Sequence, residues 1–273
     1  MEFRKEGDDT LLSTGAASEG RPQGPPVGAA QADDVVLRAS RMVKRFGALT
    51  VLDNVEFALA RNEAVGIVGP NGAGKTTLLS VLMGALEPNA GSVHYLGQDV
   101  TRLPAAERCR IGIARTHQVP KSFGGMTVFE NALVAAQHGG GRRGSEAYDR
   151  VIETLRLIGM LRVANRRAET LGLLDRKRLE LARAVATDPK VLLLDEIGGG
   201  LTDGEAGELV STIKVLRERG IALVWIEHIV HVLVQVTERL VCMDNGRIVA
   251  DGNPGDVMKH PDVVRAYLGS AVG

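Results

Sequence analysis

The sequence predicts an α/β fold in which a mostly parallel sheet is flanked by helices. Short apolar segments that suit buried strands alternate with longer segments of helical spacing over most of the chain. Apolar residues make up 44% of the 273 residues, which is enough for a substantial core. No stretch reaches the roughly eighteen uninterrupted apolar residues of a membrane span, and the N-terminus lacks the apolar core of a signal peptide. We therefore expect a globular protein that does not itself cross a bilayer.

Charge and cysteine content narrow the functional classes. Lys and Arg together number 33, and so do Asp and Glu, so no overall basic field exists to hold nucleic acid or anionic lipid by charge alone. Cys109 and Cys242 have no metal-ligand spacing, which argues against a zinc site or a disulfide framework. The composition fits a cytosolic protein, and any membrane partner must be recognised by shape.

The first part of the chain changes character at about residue 34. Residues 1–33 are rich in Gly, Pro, Ser and charge without apolar periodicity, which predicts a disordered tail. The elements predicted next are strands at Val35–Leu37, Val55–Leu59 and Ala64–Val68, a helix at Thr76–Leu86 and a strand at Ser92–Tyr95.

The middle of the chain has the pattern of a helical insertion. Helical spacing covers Thr127–Gln137 and Glu146–Leu161, which are separated by a loop of three glycines at residues 139–141. The alternation then resumes with a helix at Arg176–Thr187, a strand at Val191–Leu194, a helix at Gly204–Arg219 and a strand at Ile221–Ile226. Strands that alternate with helices in this way indicate a parallel sheet.

The clearest motif is a phosphate-binding loop, or P-loop, at residues 69–76. It follows the apolar strand Ala64–Val68 and opens a helix, which is the context that the pattern requires. Its glycines let backbone amides converge on the β- and γ-phosphates, Lys75 adds a point charge, and the Thr76 hydroxyl can ligate Mg²⁺. A glycine-rich turn without a ligand is the alternative. The candidate nucleotide-binding residues here are Gly69, Pro70, Asn71, Gly72, Ala73, Gly74, Lys75, Thr76 and Thr77.

Two adjacent carboxylates complete the chemistry that a P-loop needs. Val191–Leu194 is a buried apolar strand that runs directly into Asp195 and Glu196. Asp195 can act on the magnesium, and Glu196 can orient or deprotonate the attacking water. Alone, such a pair is more often solvated loop charge, but the preceding P-loop favours the functional interpretation.

With these motifs in place, the chain after its tail resembles the ATP-binding cassette (ABC) family. Phe46 falls where that family places the aromatic ring that stacks on adenine, although a core position is the alternative. Gln118 matches the glutamine of the Q-loop, which touches the magnesium and the attacking water. Leu201–Asp203 resembles the D-loop, which crosses to a second subunit, and His228 matches the switch histidine, which contacts the γ-phosphate. A structural role is the alternative for His228.

The resemblance implies a domain organisation and a set of ligands. It implies a P-loop NTPase core with an antiparallel β part, built from residues 34–118 and 176–273, and a helical subdomain at residues 119–175. The implied nucleotide is ATP. The implied Mg²⁺ ligands are Thr76, Gln118 and Asp195, and the implied catalytic residues are Glu196, His228 and Gln118.

One motif departs from the family pattern. The family's signature loop reads Leu-Ser-Gly-Gly-Gln or a near variant, and its helix points at the nucleotide of a partner subunit. Here residues 171–175 read Leu-Gly-Leu-Leu-Asp. Position 172 lacks a hydroxyl, Leu174 stands in place of a glycine, and we expect Asp175 to cap the helix. Ile197 also departs, since proline commonly follows the Asp-Glu pair. Because two such loops would slow a homodimer, we expect a heterodimer with a different ATPase subunit.

Three further segments resemble the ATPase subunits of branched-chain amino acid importers: Met126–Asn131, Trp225–His228 and Tyr267–Gly269. The resemblance implies permease partners, indirect contact with a solute-binding protein, no nucleic acid partner, and a location at the cytoplasmic face of the plasma membrane. Lipopolysaccharide export ATPases share the last segment and are the alternative. A soluble cassette ATPase that remodels nucleic acid or ribosomes, and a regulatory subunit without turnover, are rivals from other classes.

Overall fold

A computed structural model describes residues 34–269, so the tail predicted for residues 1–33 lies outside the described residues. The strands are β1 (Val35–Phe46), β2 (Leu49–Ala60), β3 (Ala64–Val68), β4 (Ala90–Tyr95), β5 (Gln98–Asp99), β6 (Ile113–Arg115), β7 (Val191–Asp195), β8 (Ala222–Ile226), β9 (Arg239–Asp244) and β10 (Arg247–Gly252). The helices are α1 (Lys75–Met83), α2 (Ala105–Arg110), α3 (Val128–His138), α4 (Gly144–Leu157), α5 (Leu173–Ala186), α6 (Asp203–Glu218), α7 (Val230–Leu233), α8 (Pro254–Val257) and α9 (Pro261–Gly269). Two short 3-10 turns cover Leu161–Val163 and Ala168–Thr170.

The strands form two sheets. The larger has the order β10-β9-β3-β8-β7-β6, in which the strands from β9 to β6 run parallel and β10 pairs antiparallel with β9. The smaller has the order β2-β1-β4-β5 and is antiparallel. This arrangement confirms the predicted α/β class, with a mostly parallel sheet and an antiparallel part.

The parallel sheet is covered on both faces, and β7 shows how its sequence achieves this. Val191 and Leu193 belong to a core that includes apolar residues of α1 and of the antiparallel sheet. Leu192 and Leu194 belong to a second core, with apolar residues of α3, α4, α5 and α6. Side chains alternate between the faces of a strand, so a strand buried on both sides must be apolar at every position.

The order of the parallel strands brings the predicted site residues to one edge of the sheet. In the sequence β3-β8-β7-β6, each strand is a neighbour of the next. Parallel strands end at the same edge of a sheet, and the loops that follow them therefore meet. The P-loop follows β3, and the other predicted catalytic residues follow β6, β7 and β8.

Two predicted helix ends shift for local reasons. Helix α1 ends at Met83 rather than residue 86, because Gly84 adopts a left-handed conformation (φ 79°) that satisfies the last carbonyls. Helix α4 covers Gly144–Leu157 rather than residues 146–161, and Gly159 follows it with a φ of 76°. Glycine thus terminates both helices earlier than apolar periodicity alone predicts.

The start of α5 corrects the expectation for Asp175. The helix begins at Leu173, three residues before the predicted start, and Gly172 is its N-cap, without a side-chain capping hydrogen bond. Asp175 therefore lies inside the first turn, where its carboxylate is 3.8 Å from Arg178 Nη1. The prediction that Asp175 caps this helix is wrong.

The middle of the chain folds into packed helices. Helix α3 packs against both α4 and α5. Its N-terminus has a capping box, in which Thr127 accepts a hydrogen bond from the Glu130 amide and Glu130 accepts one from the Thr127 amide. Asn131 is buried and bonds both the amide and the carbonyl of Phe123, which fixes the preceding loop. The division into residues 34–118, 119–175 and 176–273 stays a prediction.

No helix between residues 34 and 269 combines the length and the apolar character that a membrane crossing requires.

Candidate nucleotide-binding and hydrolysis site

The P-loop has the backbone that its glycines predict. Gly69, Gly72 and Gly74 have positive φ angles of 140°, 81° and 99°, and α1 begins at Lys75 directly after them. The chain must turn sharply between β3 and α1, and glycine adopts such angles without steric cost. A Cβ on Gly74 would lie 2.7 Å from the Val51 carbonyl oxygen, so the loop also packs closely against β2.

Lys75 is held within its own loop. Its Nζ donates hydrogen bonds to the carbonyl oxygens of Gly69 (2.7 Å) and Pro70 (2.9 Å). Burial lowers the pKa of Lys75 from its ordinary value, and the negative charge of Glu196 opposes this shift. The ammonium group is therefore already placed at the loop that would surround a phosphate.

A cavity of about 190 Å³ joins the P-loop to the second predicted carboxylate. Its lining comprises Val51, Asn71, Gly72, Ala73, Gly74, Lys75, Thr76, Thr77 and Glu196. Sequence patterns gave no role to Val51, which reaches the cavity from β2. The structure thus brings most of the predicted nucleotide-binding residues and Glu196 to one opening.

Asp195, the last residue of β7, links the P-loop helix to β6, the edge strand of the larger sheet. Its Oδ1 accepts a hydrogen bond from the Thr76 hydroxyl (3.3 Å), and its Oδ2 pairs with Arg115 Nη2 (2.6 Å). Arg115 also donates to Ser80 Oγ, which in turn donates to the Thr76 carbonyl. The four residues close a ring of hydrogen bonds around the carboxylate, and sequence patterns had assigned no role to Arg115.

The donors at this point fit a magnesium ion. Mg²⁺ prefers hard oxygen ligands and is bound in such sites by one or two protein oxygens together with phosphate oxygens and water. The Thr76 hydroxyl and Asp195 Oδ1 supply two such oxygens, 3.3 Å apart. Arg115 Nη2 donates a hydrogen bond to the other carboxylate oxygen, Oδ2, so Oδ1 stays directed toward Thr76.

The three predicted catalytic residues meet at one carboxylate. Glu196 follows β7 with a φ of 47°, a left-handed conformation that is uncommon for a residue with a side chain. Gln118 Nε2 donates to its Oε2, and His228 Nε2 lies 2.9 Å from its Oε1. The loops after β6, β7 and β8 therefore place an amide, a carboxylate and an imidazole in contact.

Two buried charged residues, Lys177 and Glu227, support the loops that carry Gln118, Glu196 and His228. Sequence patterns had singled out neither of them. Lys177 on α5 donates from Nζ to the carbonyl oxygens of Gln118 (3.0 Å) and Glu196 (3.4 Å). Burial lowers the pKa of Lys177, while Glu227 and Glu196 oppose the shift. Glu227 accepts hydrogen bonds from the Gly198 amide (2.6 Å) and from the indole of Trp225 (3.3 Å), and burial raises its pKa.

Helix α5 also holds the segment around Gln118. The buried Glu180 contacts His117 Nδ1 (3.0 Å) and accepts a bond from the Lys121 amide, while Arg183 donates to the Lys121 carbonyl. Burial alone would raise the pKa of Glu180, but the bond from His117 and the charge of Arg183 hold it below its ordinary value. The charged residues spaced by three at Lys177, Glu180 and Arg183 were the signal that could have revealed this contact.

The remaining predicted residues lie at the edges of the site. Phe46 ends β1 with 48% of its surface exposed, which rules out the alternative of a core position. Of the D-loop residues, Thr202 caps α6 and Asp203 is its first residue. Leu173, in the altered signature loop, is exposed, and a Cβ added to Gly200 would lie 3.3 Å from its side chain.

Fold and site together define a P-loop ATPase, and comparison with known proteins identifies its family. Residues 52–198 match the family model described as ABC transporter. Residues 247–273 match a second model, described as branched-chain amino acid ATP-binding cassette transporter.

Curated relatives agree with both matches. The high-affinity branched-chain amino acid transport ATP-binding protein LivG of Escherichia coli (strain K12) is 37% identical over 86% of this chain and 98% of its own length. BraF of Pseudomonas aeruginosa, with the same description, is 34% identical over the same shares. The chain therefore belongs to the ABC transporter family, as an ATP-binding and ATP-hydrolysing subunit. Within that family it groups with the branched-chain amino acid cassettes.

Solved structures share the fold. A nucleotide-free ATP-binding cassette from an ABC transporter superposes with a TM-score of 0.78 at 29% identity, covering 85% of this chain and 98% of that one. The ADP conformation of the cassette MJ1267 gives a TM-score of 0.78 at 29% identity, over 86% and 99% of the two chains.

The ring around Asp195 leads to a prediction for Arg115. In Arg115→Met the buried carboxylate loses its counter-charge, so we expect the free energy of unfolding without nucleotide to fall by about 3 kcal/mol. Mg²⁺ with ADP should then raise the thermal midpoint of the variant more than that of the wild type, because the metal supplies the missing positive charge. Thermal unfolding with and without MgADP measures both effects, and equal ligand-induced shifts would contradict the prediction.

The contacts of Lys177 lead to a second prediction. Lys177→Met removes the hydrogen bonds to the carbonyls of Gln118 and Glu196, so both catalytic loops lose a common support. We expect kcat for ATP hydrolysis to fall about tenfold or more, since small misplacements of catalytic groups are costly, with little change in KM. Steady-state phosphate release measures this. Lys214→Met, at an exposed position of α6, is the matched control and should keep wild-type kinetics.

Proposed function

We propose that this chain is the ATPase subunit of an importer for branched-chain amino acids or similar small polar solutes. The observation that carries the ATPase part of the proposal is the convergence of Gln118, Glu196 and His228 beside the P-loop cavity. The similarity of residues 247–273 to branched-chain amino acid cassettes supports this branch over lipopolysaccharide export.

In the proposed reaction, the P-loop amides and Lys75 bind the β- and γ-phosphates of ATP, and Phe46 stacks on the adenine. Lys75 exchanges its bonds to loop carbonyls for bonds to phosphate. Thr76, Asp195 and Gln118 would hold Mg²⁺, whose charge stabilises the phosphate oxygens when it is bound. These residues fix the position of the nucleotide before hydrolysis.

Glu196 performs the proton chemistry in this proposal. Its carboxylate orients the attacking water and accepts its proton, because it lies at the cavity between the groups of Gln118 and His228. The Gln118 amide positions the same water, and the exposed imidazole of His228 contacts the γ-phosphate. Lys177 holds the loops of Gln118 and Glu196 at a fixed separation.

A surface beside the site fits the proposed permease partner. Val119, Phe123 and Met126 are exposed apolar residues that directly follow Gln118 in the chain. A helix of a membrane subunit that covers them would contact the same segment that supplies Gln118. Such a contact would keep the chain at the cytoplasmic face of the membrane and would link hydrolysis to movement of the permease.

The altered signature loop supports a heterodimer over a homodimer. Gly172 caps α5 without a hydroxyl, and Leu173 projects from the first turn with 43% of its surface exposed. Helix N-termini bind phosphate through free amides, which need close approach of the backbone. Leucine side chains at this end oppose that approach, so a partner subunit with a different loop should serve the nucleotide bound here.

Reconstitution of the chain with its permease subunits and solute-binding protein tests the transport proposal. Proteoliposomes should take up leucine, isoleucine or valine only with ATP, and the loaded binding protein should stimulate hydrolysis. Glu196→Gln is the control: it should bind ATP and abolish uptake. If none of these three amino acids changes the rate of ATP hydrolysis, the proposed transported solute is wrong.

The double variant Gly172→Ser with Leu174→Gly tests the heterodimer proposal. In the purified chain alone, we expect the ATPase rate to rise about tenfold or more, because the restored loop can approach the phosphate of a second copy. The rate per chain should then increase with protein concentration. An unchanged rate would show that the altered loop does not limit the homodimer.

A further inference from the structure

The C-terminal helix returns to the start of the P-loop. Val263 is buried and Tyr267 is partly buried one turn later, so both lie on the inner face of α9. The ring of Tyr267 packs against the core that contains Val68 and Cys242. Its hydroxyl accepts a hydrogen bond from the backbone amide of Gly69, at 3.1 Å. A residue far along the chain therefore contacts the first residue of the phosphate loop.

None of the described pairings of β3 extends to this amide. The pairing of β3 with β9 reaches Val68 opposite Cys242, and its pairing with β8 reaches Ile67. Gly69 comes one residue later, where the chain leaves the sheet. Buried backbone donors are nearly always paired, since an unpaired one carries a desolvation penalty. The Tyr267 hydroxyl is the acceptor for this amide, where a carbonyl of a neighbouring strand would otherwise serve.

Gly69 has little freedom to move in other ways. Its φ is 140°, and a Cβ at this position would lie 2.1 Å from the carbonyl oxygen of Met243. The carbonyl of Gly69 accepts the 2.7 Å bond from Lys75 Nζ. The two peptide groups on either side of its Cα are thus fixed by Tyr267 and by Lys75, so a change at Tyr267 reaches the phosphate-binding lysine through a single residue.

We infer that Tyr267 is a positioning residue for nucleotide binding, through which helix α9 sets the affinity of the P-loop for ATP. The inference rests on the nucleotide site of the proposed function and is independent of the transported solute. Burial raises the pKa of Tyr267, so the hydroxyl stays neutral at physiological pH. Tyr267 acts before chemistry, because the catalytic groups follow β6, β7 and β8 and not β3.

The test is Tyr267→Phe, which removes one oxygen and keeps the ring. We expect the Kd for MgATP and for MgADP to rise about tenfold, as does KM, while kcat stays within about twofold. Titration with a fluorescent nucleotide measures Kd, and steady-state hydrolysis measures KM and kcat. The matched control is Tyr148→Phe, at a half-exposed tyrosine of α4 remote from the P-loop, which should leave both constants unchanged.

Hydrogen exchange gives a second readout on the same proteins. The amides of residues 68–75 should exchange faster in Tyr267→Phe than in the wild type, and this difference should persist with MgADP bound. If the wild type binds ATP and Tyr267→Phe has the same Kd, the inference about Tyr267 is overturned and the proposed function is not. A fall in kcat of this variant at constant KM would have the same meaning. A wild type that binds no ATP would overturn the proposed function as well, and Lys75→Ala provides the reference for absent binding.

Discussion

The carboxylate of Asp195 joins the parts of this site, and the remaining geometry depends on it. One oxygen reaches the Thr76 hydroxyl on α1 and the other pairs with Arg115 at the end of β6. Because the side chain is buried, the pair is little screened by solvent, and both partners are held in place. Helix α1 of the phosphate loop, strand β7, and strand β6, which precedes Gln118, thus share one anchor. Glu196 follows directly, so its position is set by the same anchor.

Support from α5 complements that anchor from the opposite side. Lys177 bonds the backbones beneath Gln118 and Glu196, while Glu180 holds the residues around Gln118. The first turn of the same helix carries the altered signature loop, ahead of Lys177. One helix therefore connects the surface proposed to face a partner subunit with the loops that carry the proposed catalytic residues. Packing of α5 against α3 extends this connection to the helices of the middle segment.

The sequence was sufficient for features that depend on contiguous residues. The P-loop and the strand that ends in Asp195 are continuous motifs, and the alternating pattern predicted the parallel sheet correctly. Contacts between distant segments were not accessible: Arg115 meets Asp195 across 80 positions, and Tyr267 meets Gly69 across 198. The start of α5 was also missed, because Gly172 caps through its extended backbone and leaves no side-chain signal. Strand β6 pairs with β7 and strand β9 pairs with β3, and both of these partners lie far along the chain.

The alternation along β7 has a consequence for how this sequence can evolve. Val191 and Leu193 face the same core as α1, and Asp195 lies on that face, while Leu192 and Leu194 face the helical layer. Deletion or insertion of a single residue in this strand would move the side chains beyond that point to the opposite face of the sheet. The Asp195 carboxylate would then enter the helical layer, and Glu196 would leave its contacts with Gln118 and His228. The strand can therefore accept replacements of similar size, but its length is invariant under selection for activity.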